Sequence, residues 1–261
     1  MTPQKDIFKI VGLVAVVAIA GIFIYKSSSN RGLEQAGKAY NPTTKTQISI
    51  EPSAFKNASC GSAQYYVDGK CYDASSVLSN SKNTYDNTGA THNAIVSYMI
   101  SNLPKNATNQ QMEDSVLAYM KSAGMTADKA FVEKIIQQLN ASKTNPSASF
   151  SSGVKKYYDK MTAIKSASVA ETFSQIARIE SEIMSDRSLT AAEKGALLES
   201  TSVARYSNLG WAGTNPTPEL KLKLWQVDML GGLLGGLLGP GGAVISAAIA
   251  SGGFWLGEHS S

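Results

Sequence analysis

MLGGLLGGLLGPGGAVISAAIASGGFWLG, residues 229–257, carries no charged side chain over 29 positions, and ten of those positions are glycine. Gly231, Gly235 and Gly239 recur every fourth residue, and Gly232 and Gly236 form a second, adjacent row. On a helix these glycines share one stripe, and Leu233, Leu234, Leu237 and Leu238 cover much of the rest. In lipid, a glycine stripe lets two helix backbones approach closely. In water the same helix is poor, because each glycine costs about 1 kcal/mol relative to alanine. The expectation is therefore a membrane or oligomer-packing segment over 229–257, with the two glycine rows joining copies of the chain. Pro240, between Gly239 and Gly241, breaks the run. It divides the readings into one kinked span, a re-entrant hairpin of two half-length segments, or a tail packed on partner subunits outside any bilayer. Trp225 on one side and Phe254 and Trp255 on the other stand where interfacial anchors would. Upstream, residues 210–228 read as a linker or interfacial segment, in which Glu219 to Trp225 alternates charged and apolar residues like a short strand. Residues 258–261 form a tail.

A second apolar run stands near the other end. Residues 10–25, IVGLVAVVAIAGIFIY, are uncharged and bracketed by Lys9 and Lys26. Sixteen helical residues span about 24 Å at 1.5 Å each, against a hydrocarbon core of about 30 Å. Ile7 and Phe8 lengthen the run, and Lys9 can snorkel to the headgroups. The reading is a single transmembrane helix over 10–25 behind a short tail, 1–9. Ala18-Ile19-Ala20 has the small-x-small form of a signal-peptide cleavage site, but Gly21 to Tyr25 continues apolar beyond it. Residues 26–45 are polar and form a spacer.

Beyond the spacer, residues 46–78 form a small β region. Tyr65, Tyr66 and Val67 precede Asp68-Gly69, and Cys71 and Tyr72 follow it. Aspartate and glycine both tolerate positive φ, so this pair predicts a two-residue hairpin turn. A Cys60–Cys71 bridge would close the loop and stabilise it by roughly 3 kcal/mol in the chain-entropy view. Such bridges persist in oxidising compartments. The main domain is accordingly expected outside the cytoplasm, although the lysines flanking the apolar run slightly favour the opposite orientation.

Residues 79–90 read as a polar linker, and residues 91–209 as a bundle of about six short amphipathic helices with a sub-boundary near 142–152. Ile95, Val96, Met99, Ile100 and Leu103 share one face and stop at Pro104. Thr108 with Gln111, Ser168 with Glu171 and Thr190 with Glu193 are capping-box pairs, and Thr126 stands as the cap of a further helix. Val132, Ile135, Ile136 and Leu139 keep the i, i+3, i+4, i+7 spacing, as do Phe173, Ile176, Ile179 and Ile183 on a later helix. The chain is thus mainly α, with an N-terminal transmembrane helix, a disulfide-closed hairpin, the bundle and the glycine-rich C-terminal segment.

Catalytic signatures are few. Charged residues make up 17% of the chain, below the quarter usual in soluble domains. The net charge of +4 is spread thinly, so no nucleic-acid stripe is visible. Two histidines and two cysteines are too few for a histidine-rich metal site or a zinc ribbon. No Walker or G-x-S-x-G motif occurs. His92 reads as a solvated residue near a helix start, and His259 as part of a fraying tail. Glu180, Glu182 and Glu199 are the acids that a glycan hydrolase would draw on, but solvated helix faces explain all three. The expectation is a non-enzymatic, membrane-anchored structural or interaction protein of a cell envelope or virion membrane. It would use no cofactor, metal or nucleic acid, and its partners would be the lipid bilayer and either copies of itself or other membrane proteins. A membrane-active, pore-forming or bacteriocin-like protein is the alternative, and an envelope glycan hydrolase the remote one.

Overall fold

In a computed structural model of the chain, the described residues are 64–67, 70–73, 79–104, 107–125, 128–142, 145–165, 168–212, 218–239 and 241–258. The fold is mainly helical, with eight helices and one two-stranded hairpin among these residues. Strands β1 (Gln64–Val67) and β2 (Lys70–Asp73) pair antiparallel, Tyr65 opposite Tyr72 and Tyr66 opposite Cys71. That register leaves a two-residue connection, as the Asp68-Gly69 signal predicts. No free cysteine occurs among the described residues, while Cys60 lies outside them. The expected span 10–25, with Lys9 and Lys26, also lies outside the described residues.

The helices are α1 (Asn87–Asn102), α2 (Asn109–Ser122), α3 (Lys129–Ala141), α4 (Ser152–Thr162), α5 (Val169–Ser185), α6 (Ala191–Ala212), α7 (Pro218–Gly236) and α8 (Gly242–Glu258). Local chemistry sets several starts. Thr108 and Gln111 complete a reciprocal capping box on α2. Thr190 and Glu193 do the same before α6, with Thr190 N to Glu193 Oε2 at 2.8 Å and Glu193 N to Thr190 Oγ1 at 3.2 Å. Ser168 caps α5 through the Glu171 amide. The cap of α3 is Asp128, not Thr126: its carboxylate accepts from the Ala130 amide at 2.9 Å.

α6 is the hub. It lies against α1, α5, α7 and α8, and β1 runs alongside it. Most of its length is buried from Gly195 to Trp211. Two apolar clusters flank it. One joins α1, α2, α3 and α8 through Ile95, Met99, Val116, Ile135, Trp211 and Ile249. The other joins α4, α5, α6 and α7 through Tyr157, Ile176, Ile183, Leu197, Trp225 and Leu233. The 3₁₀ turn Pro146–Ser149 crosses from the first group to the second, at the sub-boundary expected near 142–152.

Four expectations are corrected. Residues 79–90 are not a free linker, because α1 begins at Asn87 and Asn83, Thr88 and Gly89 are buried. The helical region does not end at 209 as expected, because α6 runs to Ala212, with Asn208, Leu209 and Gly210 buried. Glu219 to Trp225 is the first half of α7, not a strand. Trp225 is no interfacial anchor, being 1% exposed in the second cluster. Phe254 is half-buried against the first cluster, and Trp255 belongs to α8.

The glycine-rich segment is a hairpin of helices at the centre of the molecule. α7 and α8 lie against each other, and between them they also meet α1, α2, α3 and α6. Residues 241–249 are buried without interruption. Gly239 (φ 131°) and Gly241 (φ 80°) turn the chain between the two helices. A helix apolar on all sides needs an apolar surrounding on all sides, and here the neighbouring helices provide it. No valine, isoleucine, leucine, methionine, phenylalanine, tyrosine or tryptophan is fully exposed among the residues whose burial is described. Among the described residues no helix is long and apolar enough to cross a membrane.

Candidate functional site

The glycine rows come first, because they bring everything else together. A Cβ on Gly231 would lie 2.9 Å from the Cα of Ala247, and one on Gly235 would collide with the carbonyl of Gly242. This row faces α8. The second row faces α6: a Cβ on Gly232 would be 3.3 Å from Ser200 Cα, and one on Gly236 would be 3.0 Å from Ala196 Cα. Gly239 shapes the turn. Both rows are thus filled by this chain's own helices. Of the glycines expected to join separate copies, Gly231, Gly232, Gly235 and Gly236 pack α7 closely against α8 and α6 within this chain, while a Cβ on Gly239 would meet nothing within 4 Å.

Backbones this close leave room for small polar side chains, and two buried charge clusters sit on either side of α6. The first centres on Arg205, which is 0% exposed. Its Nε donates to Glu180 Oε1 at 3.1 Å, and its Nη2 donates to Asp86 Oδ1. Glu180 is also fully buried and accepts three more bonds. These come from Asn83 Nδ2 at 2.7 Å and Thr201 Oγ1 at 2.9 Å on Oε1, and from Asn80 Nδ2 at 2.6 Å on Oε2. Burial opposes the guanidinium charge, but Glu180 and Asp86 outweigh it and push its ionisation up. Ser202 extends the cluster, donating to the Asp86 carbonyl at 2.7 Å and accepting from the Gly89 amide at 3.0 Å. Together these bonds fasten the segment before α1 and the middle of α5 to α6.

The second cluster lies where α1, α6, α7 and α8 meet. His92 is fully buried, which corrects its reading as a solvated residue. Its Nδ1 lies 3.0 Å from Asn93 Oδ1, and its Nε2 lies 3.4 Å from Ser251 Oγ and 3.7 Å from Asp228 Oδ2. Asp228 Oδ2 accepts from Trp211 Nε1 at 2.7 Å and from Ser207 Oγ. Burial pushes His92 down, against the pull of the Asp228 charge. Burial likewise pushes Asp228 up, against His92 and the hydroxyl and indole donors. Both shifts favour an uncharged pair.

Serine, histidine and aspartate side by side invite comparison with a nucleophile triad. In such a triad the carboxylate holds one ring nitrogen while the serine uses the other. Here Asp228 and Ser251 share Nε2, and Nδ1 turns to Asn93. All three side chains are also sealed from solvent. The cluster is built to hold four helices together.

Glu199 is a further buried acid, 3% exposed. Desolvation pushes it up to about 8, so it is predominantly a neutral acid at pH 7. A raised acid is one part of what glycan cleavage requires; of the other two acids expected for it, Glu180 is held by four donor groups, and Glu182 pairs with Lys160 at the surface. The solvated-face reading is corrected for Glu180 and Glu199 and stands for Glu182, which is about two-fifths exposed. At the edge of the second cluster, the hydroxyl of buried Tyr157 donates to Asp186 at 2.7 Å, and Lys156 Nζ lies 3.0 Å from the same oxygen. With the Ser188 donors, these bonds hold Asp186 well below the usual carboxylate range. They tie α4 to the turn after α5.

Arg205, Asp86 and Asp228 are absent from the sequence reading of the site. A signal for two of them existed. Arg205 is the single charged residue between Glu199 and Glu219, and Asp228 is the last charge before the uncharged run. An isolated charge in a long uncharged stretch implies a buried partner. Among the described residues, no group of three or more histidine, cysteine or acidic side chains could hold a metal ion. No protein-family model, curated protein or solved structure matches the chain.

Proposed function

We propose that the protein is a non-enzymatic, membrane-anchored structural or interaction protein. Residues 10–25 are the anchor and 26–45 the spacer. The hairpin, closed by a Cys60–Cys71 disulfide, and the helical unit stand outside the cytoplasm, in a cell envelope or a membrane-containing assembly. The observation that carries this reading is the uncharged run IVGLVAVVAIAGIFIY between Lys9 and Lys26, linked to a helical unit none of whose described large apolar side chains is fully exposed. One end suits lipid and the other suits water. The buried charge clusters support a role in rigidity, since each joins separate helices. Accessibility labelling of single cysteines placed near residues 30 and 150, in a chain lacking Cys60 and Cys71, tests the arrangement. Labelling of both sites from the outer side of intact membranes supports it; labelling from the cytoplasmic side overturns it.

One observation favours a second reading, a membrane-active protein: α8, uncharged from Gly242 to Gly257, is encased by the other helices and joined to α7 by a glycine turn. Dye release from vesicles by the intact chain separates the two. Leakage favours membrane activity, and intact vesicles favour the structural role.

A further inference from the structure

The α7–α8 hairpin rests on α6 along a line of small residues, and that line has a fastened end and an unfastened one. At the fastened end Asp228 accepts from Ser207 and Trp211 of α6. Two turns back along α6, Ser200 Oγ donates to the Met229 carbonyl at 2.7 Å. At the other end stands Glu199. Its Oε2 would lie 3.1 Å from a Cβ on Gly236, so the carboxyl rests on the bare backbone of α7 just before the glycine turn. No hydrogen bond to this carboxyl occurs among the described residues.

Among the described residues, no cation compensates it either. From the segment before α1 it is faced by Tyr85, whose hydroxyl covers α6 at Gly195 and whose own ionisation burial and Glu199 both push up. α7 presents no ionisable side chain from Met229 to Gly236, and α8 none from Gly242 to Gly257. From α5, Glu180 is tied to Arg205 and Glu182 to Lys160. α1 contributes His92, which faces Asp228. On α6 itself, Glu193 binds Thr190 and Ser151, and Lys194 donates to the Met184 carbonyl.

We propose that the α6–α7 joint is a proton-gated seat: the end of α7 and the glycine turn after it stay docked while Glu199 is neutral, and lift when it ionises. An ionised carboxylate needs donors or water. The amides of α7 near Gly236 are engaged within the helix, so water must enter, and the side that can yield is the one hinged at Gly239 and Gly241. Burial pushes Glu199 up to about 8, which places the gate just above neutral pH. The inference is independent of the membrane reading.

Hydrogen exchange on the full chain in mild detergent tests it, with protection factors corrected for intrinsic rates at pH 6.5 and pH 9.5. Protection over residues 230–241 should fall by roughly tenfold or more at the higher pH, while that of α4 is retained. Glu199→Gln should abolish the difference. Equal protection at both pH values, or a loss of equal size in α4, overturns the proposal in the parent chain alone. Persistence of the loss in Glu199→Gln also overturns it.

Discussion

Arg205 shows what a single buried charge does in this molecule. It holds two carboxylates from separate segments: Asp86 lies 119 positions away in sequence and Glu180 lies 25. Removing one partner of a buried ionic group strands the others, at a cost of about 3–5 kcal/mol. Arg205→Ala should lose that much in urea denaturation. Arg205→Lys should recover only part of it, because an ammonium lacks the planar fork that addresses two acids at once. Glu199 predicts a different behaviour. Its folded value, about 8, lies above the ordinary carboxyl value of 4.5. Its contribution is therefore complete below pH 4.5 and is lost as pH rises through 8. Urea midpoints at pH 5, 7 and 9 should fall on the alkaline side in the parent chain and much less in Glu199→Gln. His92 works on the other limb: lowered by burial, it loses stability as pH falls below its unfolded value of about 6.5, while the raised Asp228 opposes that loss. His92 also shows where sequence reading stops. Thr91-His92-Asn93 is polar on both sides of the ring, and burial follows only because α6, α7 and α8 converge on this turn of α1.

At the scale of the element, the α7 glycines separate two costs that composition merges. Gly232 has its nearest neighbour at 3.3 Å from a prospective Cβ, whereas Gly235 would strike the Gly242 carbonyl and Ser246. Gly232→Ala gains about 1 kcal/mol of helix propensity against a small local adjustment, and should leave the melting temperature near or above that of the parent. Gly235→Ala forces two backbones apart and should cost about 1–3 kcal/mol, as overpacked sites do. A matching drop for both variants in thermal unfolding would refute the assignment of one row to α6 and the other to α8. Element starts were the most legible part of the sequence, because a capping box is settled by four residues. Thr108 with Gln111, and Thr190 with Glu193, form the bonds that their spacing implies. Element ends were less legible. Asn208-Leu209-Gly210 carries a local stop signal, yet α6 continues because all three residues are buried, and interrupting the helix there would leave buried backbone groups unpaired.

For the whole molecule, the glycine rows and the uncharged run of Met229 to Gly257 point to close apolar packing, but not to the solvent around it. Spacing alone cannot say whether the apolar surroundings of Met229 to Gly257 are lipid, another copy or the chain itself; that depends on amphipathic helices distant in sequence, whose inward faces cover it. The consequence for the N-terminal run is specific. With α7 and α8 enclosed, and with no large apolar side chain fully exposed where burial is described, the helical unit offers a bilayer little to hold. On the proposed reading, membrane attachment rests on residues 10–25. The full chain should remain with membranes through alkaline carbonate extraction, and a chain lacking residues 1–26 should leave them without detergent while keeping its helical circular dichroism. If the shortened chain stays in the membrane fraction, the hairpin or another surface is in contact with lipid, and the division between a lipid-suited end and a water-suited end fails. If it leaves the membrane but loses its helicity, the run is part of the fold instead of an anchor. Only release with the fold intact assigns the two halves of this sequence to two different solvents.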